Sequence, residues 1–305
     1  MEDYLVRATG EEGVLALVAR TTALVEMARQ LHNTYPTATA ALGRLLTGGA
    51  LMAATLKEGQ SVTLRIRGDG PLGSLVAVAR PGKVKGYVEE PQVDLPLRGD
   101  GKLDVGRAVG RGTLYVVKDL GLKEPYVGSV ELVSGEIGED LAHYFASSEQ
   151  KPSAVGIGVR VEPGGKVGAA GGFLVQLLPG AREDLAELLE NNIRAAGAVS
   201  SLLARGLSPE DILHLLLKGL SFKVHEGKPL RWACDCSRRR LREILVALGP
   251  EELERILVEQ GEAEAVCAFC SRVYRFGRDE VEELVELSRL NRGQGTEKDR
   301  RSQEG

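Results

Sequence analysis

The spacing of apolar and polar residues divides the chain into regions with different repeats. Near the start, Leu5 to Arg7 and Val14 to Val18 are short apolar, β-branched runs around Gly10-Glu-Glu-Gly13, which predicts two strands and a turn. Thr21 or Thr22 can cap a helix whose apolar residues, Leu24, Ala28 and Leu31, recur three or four apart. A second helical pattern follows Pro36 through Leu42, Leu45, Leu46 and Leu56. Gly48-Gly49 within it marks either a weak helix or close packing. From Ser61 to Val133 the repeat shortens to two. Val62–Arg67 and Ser74–Ala79 predict one hairpin, and Leu114–Val117 with Tyr126–Leu132 a second across Lys118-Asp-Leu-Gly121. Ser134 offers an N-cap for a helix carrying Ile137, Leu141 and Phe145, and strands near Val155–Val161 and Gly172–Leu178 complete the region.

After Pro179-Gly180 the pattern becomes helical. Leu185, Leu188, Leu189, Ile193, Ala196, Val199, Leu202 and Leu203 predict one helix over 181–204, with Gly206 at its end. Ser208-Pro209-Glu210-Asp211 predicts the start of another over 209–219, with proline at the first helical position and acids in the first turn. Two leucine-rich helices alone cannot bury their apolar faces, so this region is expected to pack on what precedes it. The expected fold class is α+β: a mixed sheet and helix domain over 1–178, a helical middle region over 179–230, a small C-terminal four-cysteine zinc domain over 231–290, and a disordered tail over 291–305.

Length and composition narrow the function. At 305 residues, 43% hydrophobic and 27% charged, the chain has the balance of an ordinary globular protein of about two domains. No run approaches the roughly 18 apolar residues of a membrane span, and the acidic start MEDYLVRATGEEG lacks the form of a signal peptide, so a cytoplasmic protein is expected. The net charge of −4 is spread without a basic stripe, which argues against a nucleic-acid partner. Gly68-Asp-Gly-Pro-Leu-Gly73 spells Gly-x-Gly-x-x-Gly, but Pro71 and the strand after it predict a hairpin turn rather than a dinucleotide site. His32, His143 and His214 lie in helical patterns as surface or packing residues. Glu136 and Glu139 are expected as helix-start charges. No nucleophile elbow, metalloprotease motif or Walker A sequence is present, so the protein is not expected to be an enzyme.

All four cysteines fall in one short segment. Cys234-Asp-Cys236 and Cys267-Ala-Phe-Cys270 are two close pairs separated by thirty residues, the arrangement a tetrahedral four-thiolate zinc site requires. One zinc ion is expected on Cys234, Cys236, Cys267 and Cys270. His225 is not needed as a ligand, and Arg231, Arg238, Arg239 and Arg240 are expected to offset the negative site. A unit of about 60 residues has a marginal core, so metal binding should contribute much of its folding free energy. Both spacings also permit a local sulfur–sulfur bond if the backbone bends. The residues therefore leave open an inert structural knot and a redox-responsive site. Two minor readings use the same residues: a zinc module binding nucleic acid through its arginines, and an oxidoreductase using Cys267 and Cys270. The glutamates at 251, 252, 254, 259, 262 and 264 weigh against the first, and a strand-like Arg272–Phe276 against the second.

These motifs resemble the bacterial 33 kDa chaperonin family, heat shock protein 33. The resemblance rests on the Cys-x-Cys…Cys-x-x-Cys pattern, on Cys236-Ser-Arg, Leu248-Gly-Pro-Glu-Glu-Leu253 and Phe269-Cys-x-x-x-Tyr274, and on the stretches Ser134–Ala142 and Tyr144–Ser153. It covers all but the tail, with no departure at the four cysteines. It implies a redox-regulated, ATP-independent holdase that protects unfolding proteins under oxidative and heat stress. Reduced and zinc-bound, such a protein is inactive. Zinc release with disulfides Cys234–Cys236 and Cys267–Cys270 activates it, unfolds the C-terminal unit and destabilises the middle region. The resemblance also implies unfolded client proteins as partners, an active homodimer, and client binding and dimerisation by the N-terminal domain.

Overall fold

Each predicted hairpin at the N-terminal end forms, and the strands assemble into two sheets around one buried helix. The structure is a computed structural model and describes residues 2–182 and 184–303, with side chains described to Asn291. In chain order, β1 (Tyr4–Gly10) and β2 (Val14–Arg20) precede α1 (Thr22–His32) and α2 (Pro36–Ala53). Then come β3 (Ser61–Gly68), β4 (Ser74–Arg80), β5 (Lys83–Val88), α3 (Val105–Val109), β6 (Gly112–Asp119), β7 (Tyr126–Glu131), α4 (Gly138–Ser147), β8 (Ser153–Val161) and β9 (Val167–Leu177). The chain continues through α5 (Leu185–Ala196), α6 (Val199–Ala204), α7 (Pro209–Leu216), β10 (Phe222–Pro229) and β11 (Arg231–Trp232). It ends with α8 (Arg238–Leu248), α9 (Pro250–Gln260), β12 (Ala263–Val266), β13 (Val273–Phe276) and α10 (Arg278–Gln303). Of the tail expected to be disordered, 291–305, the backbone to Gln303 forms the end of α10, and residues 304–305 lie outside those described. No helix among the described residues is long and apolar enough to cross a membrane.

Contacts divide the chain into two units, Met1–Ala233 and Cys234–Gly305. In the first, a five-stranded antiparallel sheet runs β10-β1-β2-β9-β8, and a second sheet runs β11-β5-β4-β3-β6-β7. Gly68–Gly73 makes the β3–β4 connection, so the glycine string is a hairpin turn as expected. A Cβ at Gly68 would lie 1.9 Å from the Val109 carbonyl oxygen, which is the packing reason for glycine there.

Helix α2 is buried on nearly all sides, Arg44 aside, and packs against strands of both sheets. Its glycines permit that approach: a Cβ at Gly48 would meet Leu141 at 2.5 Å and one at Gly43 would meet Val25 at 2.6 Å. Of the two sequence readings of Gly48-Gly49, close packing is the one observed. The strands of the five-stranded sheet split their side chains between two cores. Leu15, Leu17 and Ala19 face the α2 side, and Val14, Ala16 and Val18 face a second cluster with Leu189, Leu202, Ile212 and Leu216. The middle region therefore packs on the N-terminal sheet, as its leucine faces require.

Several local expectations are corrected. Thr21 stands at the N-cap of α1, but its hydroxyl pairs with Thr47 at 2.7 Å, while the Asp3 carboxylate accepts from the Leu24 amide at 2.6 Å. Ser134 does not cap α4. The buried Asp140 carboxylate instead accepts from the amides of Val133, Ser134, Gly135 and Ile137, and Ile137 stands at the cap with φ 69°. Glu136 is not a helix-start charge: it pairs with Arg44 and Arg98 and accepts from the Gly106 amide. The expected helix over 181–204 breaks at Gly197, whose φ of 77° and ψ of −157° lie outside the helical region in a conformation open to glycine. The end of the region read as wholly helical holds β10, antiparallel to β1, and β11, parallel to β5, follows it.

Candidate metal centre

The second unit has a small apolar core of Leu241, Leu245, Leu253, Phe276, Leu284 and neighbouring residues. Three helices and the two-stranded sheet β12-β13 surround it. The cysteines sit on two segments of this unit. Cys234 and Cys236 lie in extended chain just before α8, and the Ser237 hydroxyl accepts from the Arg240 amide, so the helix starts directly after the second cysteine. Cys267 and Cys270 lie on the turn between β12 and β13. There the Cys267 amide donates to the Arg272 carbonyl at 3.0 Å and the Ser271 amide donates back to the Cys267 carbonyl at 2.8 Å. Ser271 completes the turn at φ 56°.

These segments bring the four sulfurs within 4.8 Å of one another. Contacts of 3.7 Å between Cys234 and Cys267 and 3.4 Å between Cys236 and Cys270 join the two pairs. A tetrahedron with Zn–S bonds of about 2.3 Å has sulfur–sulfur edges of about 3.8 Å, so the donor set fits a zinc ion in type, number and spacing. Cys267 is buried and the other three are partly so. No histidine joins the group among the described residues. His225 lies on β10 with Nε2 2.9 Å from the Thr9 hydroxyl.

The thiols are not equivalent. Burial pushes the Cys234 thiol up to about 12, and neighbouring thiols add to that rise. Burial also works against the Cys236 thiolate, but hydrogen bonding to the Tyr274 hydroxyl and the other thiols outweighs it and brings Cys236 to about 7. The Tyr274 hydroxyl lies 3.2 Å from Cys236 Sγ.

The cation coupled to the sulfurs is Arg272, which is held charged first by Tyr274 and then by Cys236 and Cys270. The expected role of Arg238, Arg239 and Arg240 is corrected accordingly. Arg238 pairs with Glu280 at 2.8 Å and covers the Phe276 ring, Arg240 reaches Asp235, Arg239 faces Glu243, and Arg231 belongs to β11. Neighbours in sequence diverge around a helix, whereas Arg272, just before β13, and Tyr274, on it, are two residues apart and share one face of the extended chain.

Comparison with known proteins agrees with this geometry. A family model described as Hsp33 protein matches residues 3–277. A 33 kDa chaperonin of Desulforamulus reducens is 50% identical over 287 residues, covering 93% of this chain and 98% of that protein. One of Symbiobacterium thermophilum is 52% identical over 284 residues, with 92% and 96% covered. Among solved structures, the 33 kDa chaperonin (heat shock protein 33 homolog) of Thermotoga maritima aligns with a TM-score of 0.87 at 40% identity, covering 94% of this chain and 98% of that one.

Proposed function

The chain belongs to the Hsp33 family, a family of chaperones, and from that premise we propose that it is an ATP-independent holdase gated by the redox state of Cys234, Cys236, Cys267 and Cys270. Reduced, the four thiolates hold one zinc ion and the chaperone is inactive. Oxidised, Cys234 joins Cys236 and Cys267 joins Cys270, the donor set is lost, zinc is released, and unfolded clients are bound. For each disulfide two thiolates give up two electrons, and one hydrogen peroxide accepts them with two protons from solvent and becomes two waters. Zinc, when bound, ties the segment before α8 to the β12–β13 turn and adds folding free energy to a unit of small core.

One observation carries this reading: four sulfurs from segments thirty residues apart converge within 4.8 Å in a unit with a small core of its own. Loss of the donor set removes the element that ties the unit together. Residues 179–230 then act as a metastable linker whose release uncovers the apolar sheet face they pack on. In this reading residues 1–178 bind clients and dimerise in the active state, residues 231–290 form the redox switch, and the protein works in the cytoplasm.

Light scattering from a thermally unfolding client tests the proposal. Protein oxidised with peroxide at raised temperature should suppress scattering, and reduced, zinc-loaded protein should not. Equal suppression by both makes the cysteine site structural, and suppression by neither removes the holdase.

A further inference from the structure

The segment 222–233 occupies the edges of both sheets in the first unit. β10 lies antiparallel along β1, with Phe222 opposite Gly10 and Pro229 opposite Tyr4. At Leu230 the chain crosses over, its amide donating to the Asp3 carbonyl at 2.9 Å. β11 then lies parallel to β5, held by bonds from the Arg231 amide to the Gly82 carbonyl and from the Ala233 amide to the Val84 carbonyl, both 3.1 Å.

The two sides of each pairing are held very differently. In β1, Leu5, Val6 and Ala8 are fully buried, and the strand pairs with β2 along its whole length. In β10, only Phe222 and Val224 are even half-buried, and the register slips between Leu5 and Arg7, so Glu226 and Gly227 stand opposite Val6 alone. Such a bulge interrupts the ladder. Exposed backbone bonds with few apolar contacts mark a segment of low local stability. The covering strands can leave while β1 and β5 stay in their sheets. An edge then presents a row of free amides and carbonyls, a template for any extended chain.

The segment holds on through two pairs of apolar side chains, each spaced i, i+2. Phe222 and Val224 pack on the cluster containing Val6 and Ala8, and Leu230 and Trp232 pack on the core containing Val84. That spacing puts both members of a pair on one face of an added strand.

We propose that the β1 and β5 edges are client-docking sites, which β10 and β11 occupy until activation. The occupant is an extended segment of unfolded protein carrying an apolar pair at i, i+2, added as a new strand by main-chain hydrogen bonds. This inference rests on the redox-gated holdase reading above. It adds a defined surface and a mode of recognition to the general uncovering of apolar area.

Hydrogen exchange on the full-length protein tests it. Among residues 4–10 and 83–88, the amides that point to β10 and β11, unlike those bonded to β2 and β4, should be protected when reduced, exchange freely when oxidised, and regain protection with a client bound. A synthetic peptide of sequence 222–233 should compete with the client for oxidised protein. The same peptide with serine for Phe222, Val224, Leu230 and Trp232 should compete at least about tenfold less well, a difference of about 1.4 kcal/mol. Three results would overturn the proposal: edges that stay protected in oxidised protein that suppresses scattering, edges that stay open with client bound, or equal competition by the two peptides. Protection that returns without client as protein concentration rises would overturn it too, by assigning the edges to a second copy of the chain. If oxidised protein suppresses no scattering at all, it is the holdase reading that fails.

Discussion

The Tyr4 hydroxyl donates a 2.7 Å hydrogen bond to the Glu210 carboxylate, joining the first residue of β1 to the first turn of α7 across 206 positions of sequence. The bond fastens the middle region to the strand whose edge β10 covers. A hydrogen bond to a charged group contributes about 1.5–3 kcal/mol. Tyr4→Phe is expected to speed hydrogen exchange in α7 about tenfold or more in reduced protein, leaving α2 unchanged. Equal exchange in variant and wild type would mean that leucine packing alone holds α7.

The same pair sets an alkaline limit. Burial, and then the bond to Glu210, pushes the Tyr4 hydroxyl up to about 12 from 10.0. Because the folded pKa is raised, the contribution is fully present below pH 10 and fades as pH rises towards 12. Alkaline unfolding followed by circular dichroism should show a shallower stability loss over that window in Tyr4→Phe.

Removal of the metal should act first on the second unit. Chelation, or Cys267→Ser at the buried ligand, is expected to melt the helices of the second unit and reduce bound zinc from one per chain. The β-sheet signal of the first unit should remain. A second unit that stays helical without metal would show that its core suffices.

Trp232 is the only tryptophan in the chain and packs partly buried with its ring centroid 6.0 Å from that of His32. Its emission should move to longer wavelength when oxidised protein releases β11. An unchanged spectrum in active protein would contradict opening of the β5 edge.

Gly68→Ala should destabilise the first unit by about 1–3 kcal/mol in denaturant unfolding, since the new methyl overlaps the Val109 carbonyl. A neutral result would mean that the α3 turn yields easily.

Much of this was legible from side-chain type and spacing. The hairpins show as alternation, α7 shows through Ser208-Pro209-Glu210-Asp211, whose capping box forms, and the sulfur cluster shows through two close cysteine pairs. Two kinds of feature stayed hidden. β10, Phe-Lys-Val-His-Glu-Gly-Lys-Pro, is polar and mostly exposed, and its one apolar pair, Phe222 and Val224, is too short a pattern to mark a strand held mainly by backbone bonds. The Tyr274 contact with Cys236 and the charge of Arg272 near the sulfurs were also missed, because the nearer arginines in sequence drew the expectation and helix α8 turns them towards acids instead.

By itself the sequence determined the elements whose stability is local or periodic, the donor set of the metal centre and, through its motifs, the family. The tertiary structure alone decided that Asp3 and Asp140 supply the caps, that Gly43 and Gly48 admit α2 between two sheets, and that residues 222–233 close two sheet edges. Periodicity records which side chains leave water. Backbone amides and carbonyls are the same at every position, so their partners are fixed only when distant strands are brought side by side.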